Sequence, residues 1–400
     1  MTDTSSHQYK AAPEGIYCDH GPSHLQLSSS GLLANKRLAV KDLFQLEGEK
    51  NTAGNPDWYH THEVSNLTAA SLQKILAEGA IFKGFTVTDE IAYSLQGNNI
   101  HYGSADNPHV PGHHCGGSSV GSAAAVANGF ADIGLGTDTG GSVRVPASYC
   151  GLYGIRPTQG IISTAGLIGL AAPFDTVGWL TQEPDILAAV GEVLLPRSQC
   201  ERPVNTLVIC PEIMRLTGDE TFVGIENYLP KLQARFDKVV VRHIAEGSLL
   251  PELSELFRVL QGRACAAEHR EWLETTKPQF APDVAGRFEQ ALAITDGEFA
   301  AARLKQKTWQ REFDALIPDS NSVLLLPSTV TAAPKKGVDQ TKLRQRLMNL
   351  TAIAGLTGSP QVHIPAFYIQ EDGLKKPSGF SLLMRQNNDK NLLRLARELA

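Results

Sequence analysis

No apolar run in this chain approaches the ~20 residues that a helix needs to cross a bilayer, and Met1 to Lys10 is polar, without the apolar core of a secretory signal. A membrane partner is therefore not expected, and a cytoplasmic location is. Excess basic charge is also missing. The formal net charge is −6, so there is no electrostatic case for nucleic acid or an anionic surface. The six cysteines, Cys18, Cys115, Cys150, Cys200, Cys210 and Cys265, contain no Cys-x-x-Cys and no framework spacing. Such usage fits a reducing compartment. Internal repeats, low-complexity tracts and a clear linker are absent too, which predicts one domain over residues 1–400.

What is present is ordinary in bulk: 42% hydrophobic and 20% charged residues over 400 positions, enough for a large core. Residues 1–35 are polar and turn-rich and read as an arm over the body. Arg37–Val40, Ala80–Thr86, Ile133–Leu135 and Val323–Leu326 read as strands. Thr206–Cys210 and Lys238–Arg242 read as buried strands. Leu67–Glu78 reads as a helix stopped by Gly79, with Leu72, Ile75 and Leu76 on one face. Residues 225–236 and 248–315 are helical in pattern. Asp389–Ala400 reads as an N-capped helix with Leu392, Leu393, Leu395 and Leu399. Interleaved helices and strands give an α/β class. Residues 195–320 carry the fewest motifs and are expected to shape substrate access.

The chemistry concentrates between Gly116 and Ser142, where two serine-bearing glycine turns flank the small residues Ala123–Ala127. Glycines let a backbone approach a ligand closely and aim N–H groups at one point. Such a turn suits a phosphate or an oxyanion. No lysine follows either turn, as a P-loop requires, and the spacing from Gly134 to Gly140 is wrong for a dinucleotide fingerprint. Acyl transfer remains. Ser142 follows Gly140 and Gly141, so N–H groups of Thr139, Gly140, Gly141 and Ser142 are candidate oxyanion donors near its hydroxyl. Lys41 ends an apolar strand and is the candidate base. Alone it would read as a lysine reaching the surface. Asp42 beside it should point the opposite way if the pleat continues. Ser119 and Ser122 read as turn supports, and Asp138 and Arg144 as buried structural partners. His60, His62, His113 and His114 complete no closed ligand set, so no metal or other cofactor is expected. His113 and His114 read as lining an entrance loop.

These residues resemble the amidase signature family. The likeness runs through Ala39–Asp42, Gly116–Ser119, Gly136–Ser148, Cys150–Gly151, Gly154–Thr158, Asp175–Gly178, Leu324–Ser328, Gly358–Gln361 and Gly379–Leu383, nearly the whole chain. It implies a single domain with a mixed β-sheet core covered by helices on both faces. It also implies a triad of Ser142 as nucleophile, Ser118 as bridging serine after a cis Gly117–Ser118 peptide, and Lys41 as base. Asn55–Trp58, Thr61–Glu63, Asp89–Ala92, His101–Gly103 and Asp175–Trp179 look more narrowly like the short plant-type indole-acetamide amidases and their bacterial relatives. That likeness implies a small primary amide with an apolar, arylacetamide-like acyl group, cleaved to acid and ammonia. Trp58, Ala92, Gly117 and Phe174 are the candidate substrate contacts, and no basic cluster is expected among them. Val120 departs from the family's usual glycine or serine and is expected to add bulk beside the site. The alternatives are a hydrolase of urea-derived carbamoyl amides of the biuret or allophanate type, an inactive binding module, and an amidotransferase subunit. The small-molecule amide is the expected partner, and a homodimer is the assembly allowed for.

Overall fold

Leu38, Ala39 and Val40 are wholly buried and make β1 (Arg37–Lys41) a strand covered on both faces. The computed structural model describes residues 13–199 and 203–400; Met1–Lys10 and Cys200 lie outside them. The other strands are β2 (Ile81–Thr86), β3 (Ile133–Thr137), β4 (Tyr153–Arg156), β5 (Val177–Thr181), β6 (Thr206–Ile209), β7 (Lys238–Val241), β8 (Ser322–Pro327), β9 (Gln361–Glu371) and β10 (Leu374–Leu383). They form one ten-stranded sheet in the order β2-β1-β3-β5-β4-β9-β10-β8-β6-β7. Pairing is parallel at both ends and antiparallel from β3 to β8, so the sheet is mixed.

The pleat separates two layers. Leu38 and Val40 face a cluster with Leu72, Ile75 and Leu76 of the helix Ala70–Ala77, continued by helices Pro184–Leu194, Asp219–Gln233 and Asp389–Glu398. Ala39 faces the other side, against the helix Val120–Ala127. Helices Leu253–Thr276, Pro282–Leu292, Asp296–Leu316 and Thr341–Thr357 extend that layer. The run from Ala123 to Ala127 is small because its helix lies directly on the sheet. A Cβ at Gly121 would stand 2.4 Å from the Ile16 carbonyl oxygen, and one at Gly134 would stand 2.7 Å from the Ser122 carbonyl oxygen. Residues 13–35 do cover the body: Cys18 N–H donates to the Phe85 carbonyl at 2.9 Å, and Leu25 pairs with Phe82 along the β2 edge. Among the described residues no helix is long and apolar enough to cross a membrane.

Two expectations need correction. β7 is not buried: it is the last strand of the sheet, and Val239 and Val241 are exposed. The last helix has no side-chain cap: Asn388 holds the N-cap position without a capping bond, and Asp389, the first helical residue, accepts from Thr158 N–H and Oγ1, both at 2.7 Å. The β9–β10 hairpin carries Pro365 and Pro377, which mask its strand pattern.

Candidate active site

β1 delivers Lys41 to the sheet's carboxyl end, opposite Thr86 of β2. On the Ala39 side, Lys41 Nζ donates to Ser118 Oγ at 2.7 Å and to Thr137 Oγ1 at 2.9 Å. Asp42 leaves on the other side and accepts from Asn51 Nδ2 and Thr52 N–H, each at 2.8 Å. Lys41 and Ser118 have no exposed surface. Burial pulls the Lys41 ammonium down to about 7, against the opposing pull of Asp89, Asp138 and Asp175.

The Gly117–Ser118 peptide is cis. Thr88 Oγ1 and Asp89 N–H both donate to the Ser118 carbonyl, at 2.9 and 3.3 Å. Gly117 N–H donates to the Leu95 carbonyl at 2.9 Å. A Cβ at Gly117 would fall 2.2 Å from Asp89 Oδ2, so only glycine fits there. Burial raises Asp89 to about 6.

The second turn wraps around a carboxylate. Asp138 accepts from the N–H groups of Gly141, Val143 and Arg144 at 2.9, 3.1 and 3.2 Å, and from the Arg144 guanidinium at 2.8 and 3.0 Å. Burial opposes its charge, yet Arg144 and Arg156 hold its carboxyl well below the usual range. Thr139 Oγ1 donates to Asp175 Oδ1, and Thr351 Oγ1 to the Gly140 carbonyl, both at 2.6 Å. Phe257 and Met348 pack against Gly140, 3.0 and 3.1 Å from where its Cβ would be. Ser119 N–H donates to the Ser142 carbonyl at 3.2 Å, which ties the two turns together. Gly141 N–H is thus already bonded. The N–H groups of Thr139, Gly140 and Ser142 have no acceptor among the described residues.

The structure therefore brings together Lys41, Gly117, Ser118 and the turn leading to Ser142. Ser119 and Ser122 are turn supports, bonding the Thr137 and Leu135 carbonyls at 3.4 and 2.9 Å. The aromatic candidates sit further back. Phe174 stacks edge-on against Phe257 at 5.0 Å, behind Gly140. Trp58 stacks on His62 at 3.7 Å and meets Trp272 and His269 edge-on. Ala92 closes the turn Glu90–Ala92 in left-handed backbone, φ 55°. The Val120 side chain is buried against Gly97 and an alanine-rich cluster. His113 and His114 are buried against Pro334 and Lys335, not held on an open loop. Among the described residues, the grouping close enough to hold an ion is Cys18, His20 and Asp42, without the four histidines singled out from sequence.

Two cavities flank this centre. One, of about 220 Å³, is lined by Thr137, Asp175, Leu43, Ile168, Leu170 and Glu268. The other, of about 450 Å³, lies behind Met348 and carries Arg258, Arg287 and Arg344. This basic cluster does not include Trp58, Ala92, Gly117 or Phe174, the substrate contacts expected from sequence. Sequence reasoning gave no role to Asp89, Thr137, Asp175, Phe257 or Met348. Thr137, Asp89 and Asp175 stood inside segments that carry the family likeness; Phe257 and Met348 had no such signal.

The sequence model of the family described as Amidase matches residues 23–203. The rice (Oryza sativa subsp. japonica) protein Amidase 1 is 36% identical over 94% of this chain and 92% of its own length. Amidase 1 of Arabidopsis thaliana is 33% identical over 93% and 94%. A solved structure described as a crystal structure of amidase superposes with a TM-score of 0.79 at 26% identity, covering 91% of this chain and 83% of its own.

Proposed function

The chain belongs to the amidase family and is an amide-hydrolysing enzyme, and we propose that it cleaves a small carboxylic amide to acid and ammonia through an acyl-enzyme on Ser142. The observation that carries this is a fully buried lysine, lowered to about 7 and bonded to a serine at 2.7 Å. A neutral amine has two N–H donors and one lone pair. Donation to Thr137 leaves the lone pair for the Ser118 hydroxyl proton. Ser118 then takes the proton of Ser142 as its oxygen attacks the amide carbonyl. The N–H groups of Thr139, Gly140 and Ser142 receive the oxyanion. The proton returns along the same path to the leaving nitrogen, the C–N bond breaks, and water cleaves the ester to free Ser142. Asp138 holds the turn but makes no contact with the reacting atoms in this scheme.

For the acyl group we propose an apolar, arylacetamide-like portion in the 220 Å³ cavity. Leu43, Leu167, Ile168 and Leu170 support that reading. Asp175 and Glu268 in the same cavity favour the carbamoyl-amide alternative, since both can accept from urea-type N–H groups. Labelling with a fluorophosphonate, followed by peptide mapping, tests the nucleophile. An adduct on Ser142 is expected; an adduct on Ser118 with Ser142 unmodified would sink the assignment. Comparing kcat/KM for phenylacetamide, indole-3-acetamide, acetamide and biuret tests the acyl group. Biuret as the best substrate would replace the aryl reading.

A further inference from the structure

The 450 Å³ cavity is built from three helices. Arg258 comes from Leu253–Thr276, Arg287 from Pro282–Leu292, and Arg344 from Thr341–Thr357. Tyr93, Gln96 and Met348 close it toward the catalytic turn. Met348 is shared: the same side chain lines the cavity and packs on Gly140. A substrate whose carbonyl sits at the oxyanion donors is therefore one side chain from this space.

The charges are not balanced. Arg258 donates to Glu255 at 2.6 and 2.7 Å. Arg287 pairs with Asp283 and donates to the Tyr93 carbonyl at 2.6 Å. These two carboxylates line the same cavity, so its lining carries three guanidinium groups and two acids, with the buried Asp89 carboxylate acting on Arg287 and Arg344 from outside the lining. Arg344 is the one in excess. Its guanidinium has no hydrogen bond or ion pair among the described residues, and its Nε is buried without an acceptor. Burial and the neighbouring Arg287 lower it to about 10. Arg344 is only partly buried, and Nε is its one enclosed atom without an acceptor; a cationic donor fork without a protein partner is matched by a planar carboxylate.

We infer that this cavity receives a carboxylate carried by the amide substrate, with Arg344 as its principal partner. The inference rests on the amidase reading of the adjacent site but not on the aryl assignment. The carboxylate belongs either to the acyl portion, as in the monoamide of a dicarboxylic acid, or to the amine portion, as in an N-acyl amino acid. The recognition chemistry is the same.

The test measures kcat/KM for two pairs: succinamate against butyramide, and phenylacetylglycine against N-propyl phenylacetamide. It uses the wild-type protein and the variants Arg344→Gln and Arg344→Lys. At least one carboxylate is expected to be preferred by roughly 10- to 100-fold over its neutral mate. That ratio should collapse in Arg344→Gln and partly survive in Arg344→Lys, which keeps the charge but not the fork. The pair that shows the effect tells which side of the scissile bond the cavity serves. Turnover of the neutral amides with no carboxylate preference, or a preference untouched by Arg344→Gln, would overturn the inference and leave the amidase reading standing. Titration calorimetry with succinate and phenylacetylglycine reads the cavity without turnover. Binding weakened by Arg344→Gln would support the site even if no amide in the set were cleaved; absence of binding by both anions to the wild type would end it.

Discussion

At Lys41 a single amino group carries both the chemistry and a stability cost. Its lowered value of about 7, against an ordinary 10.5, means that burial disfavours its charged form. In the proposed mechanism the neutral form is the base, so activity is expected to rise with pH through about 7 and then level off. Lys41→Ala should remove nearly all turnover, and Lys41→Arg should not restore it, because arginine keeps its proton. A pH–rate profile that falls above 7, or an active arginine variant, would contradict the base role. The stability consequence has a definite sign. Between about pH 7 and 10.5 the unfolded chain holds this proton and the folded chain does not, so folding gains stability as pH rises. At pH 7 and below the full cost is present, about 5 kcal/mol for a shift of this size. Lys41→Met removes that cost but strands the Ser118 and Thr137 hydroxyls, at about 1–3 kcal/mol each. Urea unfolding of both proteins should therefore show the variant's relative stability falling by several kcal/mol from pH 7 to pH 10. A constant difference would mean that Lys41 is not perturbed.

The turn from Thr139 to Ser142 owes its shape to Asp138, which gathers three backbone N–H groups and the guanidinium groups of Arg144 and Arg156. Asp138→Asn substitutes a donor for one acceptor oxygen and leaves Arg144 buried without its counter-charge. A loss of about 3–5 kcal/mol in stability is expected, with kcat reduced at least 100-fold. A variant with normal kcat would show that the turn holds itself. The helix Val120–Ala127 sets the other serine. Gly121→Ala places a Cβ 2.4 Å from the Ile16 carbonyl and 2.7 Å from Val87 N, contacts with backbone that cannot rotate away. It should lower stability by about 1–3 kcal/mol in denaturant unfolding. At this scale the sequence was most informative. Consecutive glycines, serines and alanines state their geometry locally, so the two turns and the strand-end lysine could be placed before any contact was known. The arginine cavity could not. Arg258, Arg287 and Arg344 are tens of residues apart on three helices, and each alone reads as a charge on a solvated face. Thr137 and Asp89 stood in segments that carry the family likeness but without a role, since only the pairing of β1 with β2 and β3 brings them to Lys41.

Across the whole molecule, the sheet has two edges that are finished differently. β7 ends one side with Lys238 and exposed valines. β2 ends the other, and residues 13–35 lie along it. Their polar, turn-rich composition predicted an arm but gave no reason for one; the reason is the open backbone of β2. Cys18 and Leu25 supply N–H donors to the Phe85 and Phe82 carbonyls, and Phe82 N–H returns a bond to the Leu25 carbonyl at 2.9 Å. The same arm reaches the catalytic layer. Val87 N–H donates to the Ile16 carbonyl at 3.0 Å, and Gly121 N–H to the Val87 carbonyl at 3.0 Å. Strand edge, arm and the helix after Ser118 are therefore one packed unit. Removing residues 1–35 should lower the melting temperature, expose a pairing edge and cut turnover, although every catalytic side chain is retained. Light scattering on heating, melting temperature and kcat measured on one preparation would check all three. An arm-deleted protein that keeps its oligomeric state and full activity would show that β2 needs no cover and that the position of Ser118 does not depend on Ile16.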